Sequence, residues 1–185
     1  KKIAKEINIP FTVGGGNNSI QSVADLLKAG ADKISINTAA LNNPELIIQL
    51  SSQFGSQCIV LAIDMKCINN IWKVFTHGGR VETNKEVLSW AVQASALGAG
   101  EILLTSMDHD GAKNGFAIEI TNTISVSVPI PVIASGGAGT AQHFFDVFHH
   151  GNADAALAAS VFHYSEISIP SLKKFLKEKN VIIRE

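Results

Sequence analysis

Residues 9–16, Ile-Pro-Phe-Thr-Val-Gly-Gly-Gly, return 121 positions later as Ile-Pro-Val-Ile-Ala-Ser-Gly-Gly at residues 130–137. Each copy is a short apolar segment that ends in consecutive glycines, which predicts a strand followed by a tight turn. Gly30 and Gly151 keep the same offset further along the chain. The sequence therefore contains an internal duplication, and each copy covers two strands and the helix between them.

The two copies lie about four βα units apart, because one such unit takes roughly thirty residues. Six short runs rich in Ile, Val and Leu alternate with longer amphipathic stretches, which is typical of a parallel α/β fold. The predicted strands are Phe11–Val13, Lys33–Ile36, Ile59–Ile63, Glu101–Thr105, Val132–Ala134 and Ala155–Ala159. We therefore predict a (βα)8 TIM barrel, with a doubly wound open sheet as the alternative.

The predicted barrel is incomplete in this chain of 185 residues. Two halves that repeat at this offset need about 242 residues, which is close to the usual length of such a barrel. No earlier segment matches the strands at Ile59–Ile63 and Glu101–Thr105, so we expect the first two βα units to be absent. Residues 1–185 are predicted to form a single partial barrel domain of about six βα units.

Short motifs predict where individual elements begin and turn. Capping signals mark three helix starts, at Asn43-Pro44, at Thr83 with Glu86 three residues later, and at Thr140. Asn69-Asn70 lies between two apolar runs within residues 65–79, which predicts a β-hairpin after the third strand.

Composition excludes several classes of protein. The chain is 46% hydrophobic and 17% charged, with a formal net charge of −1. Near-neutral charge is not typical of a protein that binds nucleic acid or a membrane surface, and no apolar run reaches the eighteen or so residues of a membrane span. Cys58 and Cys67 form neither a disulfide framework nor a metal-binding pattern. We expect a cytoplasmic enzyme without a metal or cofactor, and neither nucleic acid nor a membrane as a partner.

Two glycine-rich turns are candidate anion sites. They follow strands at residues 14–16 and 135–139, and the active site of a barrel lies at these carboxyl ends. Glycine lets backbone N–H groups turn toward an anion. The strands that follow them in each repeat end in Asn37-Thr38 and Ala159-Ser160, whose hydroxyl groups complete the pattern. We predict two phosphate sites that face each other across the barrel, and a bis-phosphorylated small-molecule substrate.

Asp64 is the candidate catalytic residue. It directly follows the apolar strand at residues 59–63, so its carboxyl group is expected at the rim of the barrel. Partial burial favours the protonated form of a carboxyl group and suits it to acid–base catalysis. Asp110-Gly111 follows the next strand and is expected to support a phosphate loop or the reacting centre. Asp108 and Asp110 alternate like calcium ligands, but the other ligands of a calcium loop are missing.

Other polar residues carry weaker signals. His77, His109 and His163 lie on predicted loops from which they could reach a substrate, but nothing in the sequence selects them. Lys33 and Glu101 lie at the opposite ends of their strands. A solvated ion pair of little energetic consequence is the simplest interpretation there.

Six ordered stretches closely resemble the cyclase subunit of imidazole glycerol phosphate synthase, an enzyme of histidine biosynthesis. They are residues 11–16, 35–40, 62–64, 98–106, 134–139 and 155–163. The resemblance covers essentially the whole chain. It implies a (βα)8 barrel built from two half-barrels, which agrees with the internal repeat.

The resemblance also implies a reaction, a partner and site residues. Ammonia from a glutaminase subunit would reach the ribulosyl carbonyl of a bis-phosphate aminoimidazole carboxamide nucleotide, giving imidazole glycerol phosphate and aminoimidazole carboxamide ribonucleotide (AICAR). Asp64 matches one of the family's two acid–base aspartates. Phosphate-binding positions match Gly16, Asn37 and Thr38 at one site and Asp110, Gly111, Gly137, Ala159 and Ser160 at the other. Lys33 and Glu101 match a charged ring at the ammonia entrance, and Asp32 matches a contact to the glutaminase.

Departures from the family pattern leave alternatives open. The family's other catalytic aspartate ends a first strand that we expect to be absent, so the chain alone is expected to be inactive, with exposed sheet edges. Ala112, Ala117 and His109 replace the usual threonine, aspartate and arginine, which is expected to weaken substrate contacts. The alternatives are a catalytically inactive, phosphate-binding partial barrel and the related phosphoribosyl aminoimidazole carboxamide aldose–ketose isomerase. In the isomerase, the strand that ends here in Asn37-Thr38 usually ends in Gly-Thr or Gly-Ser.

Overall fold

A computed structural model describes residues 2–184 as alternating strands and helices. The strands are β1 (Thr12–Gly14), β2 (Lys33–Ile36), β3 (Ile59–Ile68), β4 (Ile71–Thr76), β5 (Val81–Glu86), β6 (Glu101–Ser106), β7 (Val132–Ser135) and β8 (Ala155–Leu157). The helices are α1 (Lys2–Glu6), α2 (Ile20–Lys28), α3 (Thr38–Asn42), α4 (Glu45–Phe54), α5 (Val87–Ala96), α6 (Ile118–Ser125), α7 (Ala141–His149), α8 (Ser160–His163) and α9 (Ile169–Glu178), with a 3₁₀ turn at Ser56–Cys58.

Six of the strands form the parallel sheet that carries the fold, in the order β1-β2-β3-β6-β7-β8. The spatial order follows the chain order, whereas a doubly wound sheet reverses direction at a switch point. The structure therefore confirms the barrel-type α/β prediction and excludes the doubly wound alternative. Over residues 2–184, β1 and β8 are the two edges of this path, so the barrel is incomplete.

The duplication seen in the sequence is a duplication of structure. Helix α2 and helix α7 correspond residue for residue at an offset of 121, and the short helices α3 and α8 begin at an offset of 122. The N-cap residues also correspond, because Ser19 accepts from Ser22 N–H and Thr140 accepts from His143 N–H. The predicted helix start at Thr140 is confirmed.

A reciprocal hydrogen-bond pair recurs at the base of each copy. Phe11 N–H donates to Asp32 Oδ2 over 2.8 Å, and Asp32 N–H donates back to Phe11 O over 2.9 Å. Val132 and Asp154 repeat both bonds, each at 2.9 Å. The two copies of the repeat therefore join their strands by the same pair of hydrogen bonds.

Apolar packing buries both faces of the central strands, as their continuous hydrophobic sequence requires. In β3, Ile59, Val60 and Leu61 are all buried, and Trp90 of α5 packs in the same core. A second cluster lies beside β7 and β8 around Phe144, whose ring meets Phe116 edge-on with 5.5 Å between centroids. The two clusters fix the strands whose carboxyl ends form the site.

The inserted hairpin is present, and it is larger than predicted. Asn69 and Asn70 adopt the left-handed backbone, with φ of 49° and 63°, and connect antiparallel strands β3 and β4. Strand β5 adds to β4, which corrects the predicted capping box at Thr83 and Glu86. Thr83 lies in β5, where its hydroxyl donates to Val74 O, and α5 begins only at Val87 with Glu86 as its N-cap, so Thr83 does not cap this helix.

Other element ends agree closely with the sequence signals. Pro44 has helical backbone angles, and α4 begins at the next residue. Strand β8 ends at Leu157, two residues before the predicted end at Ala159. None of the helices within residues 2–184 combines the length and apolar content that crossing a membrane requires.

Candidate active site

The carboxyl ends of the parallel strands border two cavities. The first cavity has a volume of about 540 Å³ and lies at the ends of β1, β2 and β3, beside the turn between β4 and β5. It is lined by four predicted site residues, Gly16, Asn37, Thr38 and Asp64. It is also lined by His77, which the sequence did not single out as a site residue.

The second cavity has a volume of about 210 Å³ and lies at the ends of β6, β7 and β8. It brings together all five residues predicted for the other phosphate site: Asp110, Gly111, Gly137, Ala159 and Ser160. Thr38 and Ser160, which correspond in the repeat, each begin a short helix after a strand. The structure thus sorts the predicted binding residues into the same two groups as the sequence.

The two turns require glycine for different physical reasons. Gly15 and Gly16 have φ of 96° and 71°, and a Cβ atom at either would meet nothing within 4 Å. Gly136 and Gly137 have φ of 90° and 105°, and a Cβ atom on Gly137 would lie 2.0 Å from Gly115 O. Backbone conformation requires glycine in the first turn, whereas conformation and close packing both require it in the second.

Asp64 combines partial burial with one specific hydrogen bond. It belongs to β3, opposite Thr105 of β6, and its Oδ2 accepts from Asn37 Nδ2 over 3.0 Å. Burial raises the pKa of Asp64 above its ordinary value of 3.8, and the negative charge of Asp110 raises it further, while the bond from Asn37 opposes both. The carboxyl group is therefore held in one place and disposed to carry a proton.

The hairpin contributes to the first cavity through the turn after β4. His77 N–H donates to Thr38 Oγ1 over 2.9 Å, which fastens this turn to the start of α3. Its ring Nδ1 lies 3.1 Å from Thr76 Oγ1. The sequence did not single out His77 as a site residue. A signal was present, because the Gly78-Gly79 pair marks a tight turn after the strand pair that carries Asp64.

A loop at residues 107–117 covers the second glycine turn. Gly115 N–H donates to Gly137 O over 2.8 Å, so the loop and the turn share a backbone contact. Asp108 has a different function from Asp110, because its Oδ2 accepts from Cys67 N–H over 2.8 Å and ties the loop to the hairpin. His109 Nδ1 lies 2.8 Å from the buried Ser106 hydroxyl.

The residues that depart from the family pattern differ in how deeply they are buried. Ala117 is buried beside α6, and its carbonyl accepts the Thr121 hydroxyl over 2.7 Å. Ala112 is exposed on the covering loop. The expected effect of Ala112, Ala117 and His109 on substrate affinity stays a prediction. Within residues 2–184, no three His, Cys, Asp or Glu side chains are grouped so that they could hold a metal ion.

The opposite end of the sheet carries the predicted basal charges. Lys33 Nζ and Glu101 Oε2 form an ion pair that connects the first residues of β2 and β6, across the start of β3. Asp32 is exposed, and one of its carboxylate oxygens already holds Phe11 N–H. The structure therefore brings Lys33 and Glu101 together and gives Asp32 a structural bond.

Comparison with known proteins identifies the family of this chain. Residues 1–168 match the family described as histidine biosynthesis protein. The chain belongs to this family. A relative named imidazole glycerol phosphate synthase subunit HisF, from Geobacillus kaustophilus, is 58% identical over 186 residues, covering 100% of this chain and 74% of the relative.

Two further relatives with the same name agree. The HisF subunits of Flavobacterium psychrophilum and Bacteroides thetaiotaomicron are 60% and 56% identical over 184 residues, and each match covers 100% of this chain and 73% of the relative. These matches confirm the resemblance drawn from the sequence stretches and place the chain with the cyclase subunits of histidine biosynthesis.

Proposed function

We propose that this chain acts as the cyclase subunit of imidazole glycerol phosphate synthase. The observation that carries the proposal is Asp64, a partly buried carboxyl group with a raised pKa, beside the donors of the first cavity. A carboxyl group in such a setting can both donate and accept protons in one reaction cycle. The names of the HisF relatives support the identity of that reaction.

The two cavities suit a substrate with two phosphate groups. Gly16, Asn37 and Thr38 offer backbone, amide and hydroxyl donors in the first cavity. The second offers the donors of Gly111, Gly137, Ala159 and Ser160, with Asp110 at its border. We propose that a bis-phosphate aminoimidazole carboxamide nucleotide places one phosphate in each cavity and its ribulosyl carbon atoms near Asp64.

Asp64 would then serve the proton transfers of the reaction. Ammonia attacks the ribulosyl carbonyl carbon, and a water molecule leaves as the imine forms. Protonated Asp64 donates to the departing oxygen, and its carboxylate accepts protons during the later cleavage and ring closure. Because Asn37 holds one carboxylate oxygen, the group keeps a fixed orientation through these steps. The products are imidazole glycerol phosphate and AICAR.

The ammonia source is proposed to be a glutaminase subunit at the base of the sheet. The relatives are named as subunits of a synthase, which supports a partner chain. Lys33 and Glu101 lie at the amino ends of their strands, where ammonia would enter, and exposed Asp32 is proposed to contact the glutaminase. Both described cysteines are free thiols, which supports a reducing cytoplasmic location.

Ammonia-dependent turnover tests the proposal. A chimera would join the first two βα units of the Geobacillus kaustophilus subunit to this chain, because the second catalytic aspartate is expected there. We expect imidazole glycerol phosphate and AICAR to form from the bis-phosphate substrate when ammonium chloride is present. Asp64→Asn should reduce kcat by about 10²–10⁴-fold, the range of general acid–base catalysis, with little change in substrate binding.

The same assay separates the alternatives. An isomerase would convert the aminoaldose substrate without any nitrogen donor. An inactive phosphate-binding barrel would bind imidazole glycerol phosphate but release no product from either substrate. Unchanged turnover in Asp64→Asn would contradict the catalytic role of that residue even if the chimera were active.

A further inference from the structure

His77 is held in the first cavity by contacts that leave one ring nitrogen available. It lies between β4 and β5 with φ of 54°, and Gly78 and Gly79 continue the left-handed backbone. A non-glycine residue in this region is uncommon, and such positions cluster at functional sites. The backbone N–H of His77 is bonded to Thr38 Oγ1, so the turn is docked on a proposed phosphate-binding residue.

Hydrogen bonding determines which ring nitrogen carries the proton. The Thr76 hydroxyl donates its single hydrogen to Val81 O, so toward His77 Nδ1 it acts as an acceptor. Nδ1 is therefore protonated, and in the neutral ring Nε2 is the unprotonated nitrogen. Across the described residues, Nε2 has no hydrogen-bond partner within the protein.

Protonation at Nε2 would make this ring a hydrogen-bond donor to a bound anion without moving the ring. The bond to Thr76 is made by Nδ1–H in both the neutral and the charged ring, so it persists on protonation. An imidazolium then has Nε2–H as a further donor on an exposed residue that lines the cavity. The Thr38 hydroxyl accepts from His77 N–H, so its own hydrogen can be donated to the same ligand.

We infer that His77 is a further binding residue of the first cavity, which donates Nε2–H as an imidazolium to a tetrahedral oxyanion held by Gly16, Asn37 and Thr38. The inference rests on the proposed phosphate function of this cavity. The proton that Nε2 carries in the bound state comes from solvent. The ligand class is a phosphate ester, with free inorganic oxyanions as the competing source of the same chemistry.

The charged surroundings of the ring are limited. Asp64 of β3 lines the same cavity, and Arg80 follows in the same turn. The residues that α3 and the end of β2 contribute to the cavity are uncharged. Asp64 is therefore the other titratable side chain that the described residues contribute to this cavity, and the Asp64→Asn variant separates its charge from that of His77.

Anion titrations of the chain followed by NMR test the inference. Sulfate is the first probe because its charge does not change between pH 6 and pH 8, and glycerol 3-phosphate is the second because it is a phosphate ester. We expect the Gly16 amide signal to shift with both probes, with tighter binding of the ester. The sulfate Kd should be about tenfold larger at pH 8 than at pH 6, since the imidazolium loses its proton at higher pH and the charge-assisted hydrogen bond is lost with it.

The informative variant is His77→Asn, because asparagine tolerates the left-handed backbone, as Asn69 and Asn70 show in this chain. It should weaken sulfate binding at pH 6 about tenfold and remove the difference between pH 6 and pH 8. His150→Asn is the matched control, since His150 lies after α7 at the other end of the sheet, and it should bind like the unmodified chain. Asp64→Asn should retain the pH dependence.

The outcomes separate the inference from the proposed function. Equal sulfate Kd values at pH 6 and pH 8 in the unmodified chain, or unchanged pH dependence in His77→Asn, would overturn the role of His77 while leaving the phosphate cavity intact. No response of Gly16 to either probe would instead overturn the phosphate function of the cavity, and the role of His77 with it.

Discussion

The two cavities are built on duplicated frames, and the surroundings of their glycine turns differ within residues 2–184. In the first, Gly15 and Gly16 are exposed and the turn has open space around it. In the second, Gly136 and Gly137 are buried beneath the loop at residues 107–117. The strand-turn-helix frame is therefore shared, whereas the exposure of the two glycine turns within residues 2–184 is different.

The covering segments also differ in what they bring. The loop over the second cavity contacts its glycine turn through backbone atoms, Gly115 N and Gly137 O. The hairpin beside the first cavity brings a titratable side chain, His77, and a bond to Thr38. The first cavity is therefore the larger, with His77 supplied by the hairpin, and the second is smaller, with Asp110 supplied by its covering loop.

The sharpest test of this contrast is a matched pair of alanine substitutions. Gly137→Ala should destabilise the fold by about 3 kcal/mol, because its Cβ would meet Gly115 O in addition to the strain of a positive φ. Gly16→Ala should cost only about 1 kcal/mol, the conformational penalty alone. Urea denaturation followed by circular dichroism measures both.

Equal losses of stability in Gly137→Ala and Gly16→Ala would contradict the difference in packing between the two turns. They would show that the covering loop moves to accommodate the added methyl group. Ala138→Gly is a useful control for the region, since it changes the same turn without adding an atom. It should leave the second cavity able to bind a phosphate ester.

Much of this fold could be predicted because the repeat and the apolar strands are local features. Residues 9–16 and 130–137 predict two equivalent strand-turn units, and the structure reproduces them down to the paired bonds of Asp32 and Asp154. Strand β5 could not be predicted this way. Its sequence is polar, and it becomes a strand because it pairs with β4.

The site was predictable where residues lie at strand ends and unpredictable where they arrive from an insertion. Thr38 lies just after β2, and Asp64 just after the apolar segment at residues 59–63 of β3, so topology alone places them at one edge. His77 reaches the same cavity only because the hairpin folds back, and its importance depends on the contacts with Thr38 and Thr76. Tertiary contacts of this kind leave no periodic signal in a sequence.

A second matched pair tests the equivalence of the two halves at their base. Asp32→Asn and Asp154→Asn each replace a carboxylate that accepts from a strand N–H, so we expect similar losses of about 1–2 kcal/mol in the free energy of unfolding. Chemical denaturation measures each loss. A much larger loss for one variant would show that the halves no longer use this bond equally.

The pH dependence of stability tests the coupling between the cavities. Burial and Asp110 raise the pKa of Asp64, so the folded chain binds this proton more tightly than the unfolded chain. The contribution of Asp64 to stability therefore falls as pH rises from about 4 through its folded pKa. Relative to Asp64→Asn, the unmodified chain should lose stability over that interval, as measured by denaturation at a series of pH values.

Asp110→Asn refines this measurement, because Asp110 belongs to the second cavity while its charge acts on the first. The loss of stability should shift to lower pH in that variant. A pH profile that does not change would show that the two cavities are electrostatically independent.

The smallest expected effect concerns the base of the sheet, away from both cavities. Glu101→Gln removes the ion pair with partly exposed Lys33, so it should change the free energy of unfolding by no more than about 1 kcal/mol. In the chimera with the first two βα units, its effect on turnover should depend on the nitrogen source. If ammonia from a glutaminase enters here, glutamine-dependent activity falls while activity with ammonium chloride stays close to normal. Equal losses with the two nitrogen sources would instead connect Glu101 to the chemistry at the opposite edge of the sheet, because a residue at the entrance alone has no reason to affect ammonia supplied from solution.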